Sequence, residues 1–203
     1  MYVDRMGLMG KPATTTQMAI GEVILGHIRG REAIKRNLDY INSFEDNAEY
    51  IKAIIYEEQA HLTPDEVLFD SLNFINYKSR GLGQINYSPS PTDTDFFGYP
   101  TVPVSSVIDE HTNISLMNER IDIIKTKLEE YGKDINMENI GSTWNGGKSC
   151  VVGECYNEDA ILYGKRVAGY NILMGQIEIE KSLKEEFLDT IYKIGNYFNT
   201  TSP

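Results

Sequence analysis

The chain has 203 residues, 41% of them hydrophobic, and sets 30 acidic side chains against 19 basic ones for a formal net charge of −11. That length suffices for one well-filled core. The acidity argues against a nucleic-acid partner or an anionic membrane surface, both of which need clustered Lys and Arg, and no run of about 18 apolar residues is present to span a bilayer.

Residues 1–30, rich in Gly, Met and Thr, read as an irregular N-terminal arm, and residues 31–203 as the folded domain. Within the arm, MAIGEVILGHI is the only run resembling a signal-peptide core. Glu22 and His27 interrupt it and no small-residue cleavage site follows closely, so export is expected to take another route. The spacing of Ile34, Leu38 and Ile41 predicts a short helix from Arg31 to about Ile41. Ser43 is expected to cap the next helix, with Glu45 and Asp46 at the positive end of its dipole.

That next helix carries the most informative residue. Ala48, Ile51, Ile54 and Ile55 repeat at 3, 4 and 7, the spacings of one helical face. At about 100° per residue Glu58 falls inside this stripe, whereas Glu57 points a quarter-turn or more away, beside Tyr50 and Ala53. A carboxyl group on a core-facing arc loses hydration, which disfavours its charged form and suits it to general acid work. Glu58 is therefore the candidate acid and Glu57 a bystander. The competing reading is that Glu58 snorkels to solvent or pairs with a Lys or Arg.

Thr63-Pro64-Asp65-Glu66 forms a capping box with proline at the first helical position, predicting a helix through about Asn76. Residues 79–112 then lose helical period and fill with Pro, Gly, Ser and Thr, marking a long loop expected to form a cleft wall. Helical spacing returns with Ile114, Met117, Ile121, Ile124 and Leu128, started by Asp109, Thr112 or Asn113 and closed by Gly132. The segment IGSTWNGG follows with the sole tryptophan, then helices are expected at about 158–174 and 180–198. The fold class is mainly α, with a long cleft loop that has room for some β structure.

Cys150 and Cys155 have four residues between them and no histidine nearby, a poor zinc site. A short disulfide-closed loop and two free thiols both remain open readings. His27, His61 and His111 show no ligand spacing, and no GxSxG context is present. No metal or cofactor is expected.

Four blocks, in order, carry a resemblance. Ile55-Tyr56-Glu57-Glu58-Gln59, Ser79-Arg80-Gly81-Leu82-Gly83-Gln84-Ile85, Val107-Ile108-Asp109-Glu110-His111-Thr112-Asn113-Ile114 and Trp144-Asn145-Gly146-Gly147, followed by Tyr163 and Val167, resemble the lysozyme-like superfamily of soluble lytic transglycosylases and goose-type lysozymes. In that family the blocks are a helix ending in Glu-Ser, a Gly-Leu-Met-Gln-Ile turn, a segment ending in Asn-Ile that opens a long helix, and a Tyr-Asn-Gly block. The likeness covers about residues 44–170. Gln59 stands for the family's serine, Gly83 for its methionine and Trp144 for its tyrosine.

The resemblance implies a lysozyme-like helical domain that cuts peptidoglycan glycan strands, with Glu58 as the single acid and then base. A hydrolase would need a second carboxylate, for which Asp93 and Asp95 in the loop are the candidates, ahead of Asp70 and Asp109. A lytic transglycosylase needs none, because the sugar's own 6-hydroxyl attacks. Gln84, Asn145, Trp144 and Tyr163 are the expected substrate contacts, the amides because they both donate and accept, Trp144 because it can stack on a sugar ring. Turn stabilisation is the competing role for Gln84 and Asn145, and core packing for Tyr163. The partners implied are peptidoglycan strands and an immunity or inhibitor protein. The setting implied is the periplasm or cell wall, reached without a signal peptide as a secretion-system effector or phage protein. The alternative function is a non-catalytic glycan-binding or structural domain of the same fold.

Overall fold

The computed structural model describes residues 15–62, 79–86, 108–153 and 155–174, with backbone alone for 15–24, 79–80, 86 and 171–174. The fold is mainly helical. In chain order come α1 (Thr15–Arg36), α2 (Leu38–Asn42), α3 (Ala48–His61), a hairpin of β1 (Ser79–Arg80) and β2 (Ile85–Asn86), then α4 (Glu110–Glu130), α5 (Met137–Gly146), α6 (Lys148–Val152) and α7 (Glu158–Met174). The helices expected at 63–76 and 180–198, and most of the expected cleft loop, lie outside the described residues.

The core is an isoleucine cluster on α3 and α4. Ile51, Ile54 and Ile55 pack with Ile114, Met117, Ile121, Ile124 and Leu128, all with no exposed surface. The 3-and-4 spacing along α4 therefore marks its buried face. Asp109 starts this helix, its carboxylate accepting from the Thr112 backbone N–H at 2.8 Å. Gly132 ends it in the left-handed region at φ 66°, which lets the Lys133 N–H reach the Leu128 carbonyl at 2.9 Å.

The N-terminal arm differs from expectation. Residues 15–30, read as irregular, belong to α1, which continues to Arg36 before the chain breaks at Asn37 and resumes as α2. Two glycines of this stretch, Gly26 and Gly30, are contact surface. A side chain at Gly26 would lie 2.1 Å from the Ala60 carbonyl oxygen, and one at Gly30 3.0 Å from that of Tyr56, so bare backbone is what allows α1 and α3 to touch. Arg29 then caps α3, its Nη2 donating to the Leu62 carbonyl at 2.9 Å. Ser43 does not cap α3; it ends α2 and donates to the Tyr40 carbonyl at 2.7 Å. The residue preceding α3 is Asn47, which is buried and turns its amide to Asn118 and Asp122 on α4 at 2.8 and 2.6 Å.

A second close crossing brings α5 onto α7. A side chain at Gly164 would meet Ser142 Oγ at 2.1 Å, and one at Gly141 would meet the Gly164 Cα at 2.9 Å. Small residues on both helices permit this approach, and it sets Trp144 and Tyr163 side by side above α3. A Cys150–Cys155 disulfide closes the connection between α6 and α7, while Lys133 donates to the Cys150 carbonyl at 2.6 Å and to that of Gly153. No described helix is long and apolar enough to cross a membrane.

Candidate active site

Glu58 lies in the last turn of α3, partly exposed where the residues before it are buried. Its Oε1 accepts two hydrogen bonds from neutral donors: the Tyr163 hydroxyl at 2.7 Å and Trp144 Nε1 at 3.2 Å. Two other helices thus converge on one carboxylate oxygen. Burial first, then the Glu58 charge and its hydrogen bond, push the Tyr163 phenol well above its ordinary value of 10, so it stays a donor at every working pH. Arg120 of α4 lies over the Trp144 ring at 5.1 Å from its centroid and helps fix the indole.

The hairpin is tied to the same end of α3. Gln59 Nε2 donates to the Gly81 and Leu82 carbonyls at 3.2 and 3.1 Å. From the other side, Asn113 Oδ1, fully buried at the start of α4, accepts from the Gly83 N–H at 2.9 Å. A side chain on Gly83 would lie 2.6 Å from the Met117 sulfur, so a methionine from α4 fills the space that a larger residue at 83 would need. Gln84 sits at φ 46° and returns its own side-chain amide to the Gly81 carbonyl at 3.1 Å, which is the turn-stabilising role.

Glu57 corrects the expectation of a bystander. It is 1% exposed, more deeply placed than its neighbour, because α3 buries a second face formed by Ala53, Tyr56 and Glu57. Arg166 Nε donates to its Oε1 at 2.5 Å, and His61 Nδ1 lies 3.4 Å from its Oε2. Tyr56, Tyr170 and His27 enclose the group, with Tyr56 and Tyr170 ring centroids 4.4 Å apart and those of His27 and Tyr56 5.6 Å apart. Burial, and then the nearby His61, lower the His27 pKa below its ordinary 6.5, against an upward pull from Glu57. Nothing in the sequence pointed to Arg166; its partner is 109 positions away.

The remaining candidates are placed as follows. Trp144 and Tyr163 are 7% and 5% exposed, so little of either surface remains for a sugar, and their polar tips hold Glu58 instead. Asn145, next along α5, is exposed. Asp109 is a helix cap whose hydrogen bonds from the Thr112 side chain and backbone lower its pKa, which unsuits it for acid work. Asp70, Asp93 and Asp95 lie outside the described residues. Among the described residues no group of three or more His, Cys, Asp or Glu side chains could hold a metal ion. Comparisons with family models, with curated proteins and with solved structures found no match.

Proposed function

We propose that this protein cleaves the glycan strands of peptidoglycan, with Glu58 as a single acid and then base in a lysozyme-like helical domain. The observation that supports the reading is that α5 and α7 converge on the Glu58 carboxylate while the residue beside it ties the 81–84 turn to the same helix end. Glu58 receives Tyr163 and Trp144, its neighbour Gln59 holds the Gly81–Gln84 turn, and Asn113 holds that turn from α4. These are the same blocks on which the resemblance to lytic transglycosylases and goose-type lysozymes rests.

The chemistry follows from the donors. Tyr163 and Trp144 hold Oε1 in place, and in the acid form the Glu58 carboxyl passes its proton to the glycosidic oxygen as the C–O bond breaks. The resulting carboxylate keeps its two donors. It then takes a proton from the nucleophile that attacks the oxocarbenium-like centre. We favour the sugar's own 6-hydroxyl as that nucleophile, giving an anhydro product without a second carboxylate.

The Cys150–Cys155 disulfide suits an oxidising compartment, consistent with action in the periplasm or at the cell wall after delivery by a secretion apparatus or a phage particle. In the delivered-effector setting the partner is an immunity protein that covers the Glu58 site. Mass spectrometry of digested peptidoglycan tests the reaction: anhydro ends support transglycosylation, reducing ends point to hydrolysis, and an undigested polymer removes the proposal.

A further inference from the structure

Two neighbouring contacts join α3 to α7, and only one of them touches Glu58. Residues 57 and 58 are adjacent on α3, while Tyr163 and Arg166 are three apart on α7 and so share a face. Glu58 takes the Tyr163 hydroxyl at 2.7 Å, and Glu57 takes Arg166 Nε at 2.5 Å. Tyr170, a further turn along that face, lies near Glu57, and burial and then the Glu57 charge raise its phenol pKa. Glu57 is 1% exposed, whereas the Arg166 side chain keeps 44% of its surface in solvent, so the guanidinium reaches inward from the edge of α7 to a carboxylate that cannot follow it out.

The small-residue contact between α5 and α7 sets how close these helices come, but a surface of glycine and serine resists sliding and rotation weakly. An ion pair fixed at one end in the interior resists both. A rotation of α7 large enough to withdraw the Tyr163 hydroxyl from Glu58 must also pull Arg166 off a buried charge, which is far costlier than losing one neutral hydrogen bond.

We propose that Glu57 and Arg166 are positioning residues, a clamp whose task is to hold the Tyr163 hydroxyl on Glu58. This rests on Glu58 being the working acid. The pair itself transfers no proton and meets no substrate.

The test is a double-mutant cycle on turnover of soluble, uncross-linked glycan strands, with Glu58→Gln as the control. Arg166→Ala is expected to lower kcat by up to about tenfold, no more than Tyr163→Phe does, with KM little changed. Arg166→Lys recovers part of it, and Arg166→Ala adds no further loss in a Tyr163→Phe background, because the group being positioned is already gone. Glu57→Gln, approaching from α3, gives the same pattern and replaces Arg166→Ala if circular dichroism shows that variant unfolded. An equal loss in both backgrounds overturns the clamp and leaves the reading of Glu58 standing. Wild type without turnover, or Glu58→Gln as active as wild type, overturns that reading and the clamp with it.

Discussion

Two consecutive glutamates on α3 have opposite surroundings. Glu57 is sealed in the interior against a guanidinium, with Tyr170 and His61 beside it, while Glu58 emerges at the helix end and is held by a phenol and an indole. Arg166 brings a cation to Glu57, whereas Tyr163 and Trp144 bring neutral donors to Glu58. Taking Arg166 away would leave Glu57 an uncompensated buried charge, which fits a structural role for the pair. Hydrogen bonds from a phenol and an indole suit the acid–base role proposed for Glu58. Depth of burial alone would single out Glu57, whereas the proposed function rests on Glu58.

Substitutions can break this contrast. Glu58→Gln is expected to lower glycan cleavage about 10²–10⁴-fold while the far-ultraviolet spectrum and melting temperature stay near wild type, since glutamine still accepts from Tyr163 and Trp144. Glu57→Ala acts on stability first: it removes the buried end of the ion pair and lets Arg166 rehydrate, for a loss of about 1–3 kcal/mol in urea denaturation. Tyr163→Phe removes one donor from Glu58 and keeps the ring, with turnover down about tenfold and stability down by about 1 kcal/mol.

The smallest effect separates the two sides by pH. His27 packs on the Glu57 side with a lowered pKa, so the unfolded chain takes up its proton more readily than the folded one. The stability it contributes is present above its ordinary 6.5 and is lost as pH falls through the folded value. Melting temperatures followed downward from pH 7.5 should therefore fall less in His27→Phe than in wild type. Identical slopes would remove His27 from the acid side of the stability curve.

Periodicity made α4 legible, because Ile114, Met117, Ile121, Ile124 and Leu128 face one core and nothing else competes for that stripe. The stripe of α3 was equally readable, although Glu58, assigned to it, is only partly buried. Its second buried face was not: Glu57 owes its burial to Arg166 and Tyr170 on a helix that no local pattern connects to it. Helix α1 was hidden for another reason, since the Gly, Met and Thr content of residues 1–30 reads as irregular chain, whereas Gly26 and Gly30 let a neighbouring backbone approach. Trp144 and Tyr163 were singled out with Glu58, but as sugar contacts. Composition identifies an aromatic with a polar tip, and only packing tells which way the tip points. The pairing of Cys150 with Cys155 stayed open for want of a known compartment.

The most direct measurement compares the two glutamates in one assay. Purified Glu58→Gln and Glu57→Gln, both shown to be folded, are incubated with isolated peptidoglycan, and soluble fragments are counted by chromatography against wild type. The account predicts no release above background from Glu58→Gln and a reduced but measurable release from Glu57→Gln. Full release from Glu58→Gln, or loss confined to Glu57→Gln, would contradict it.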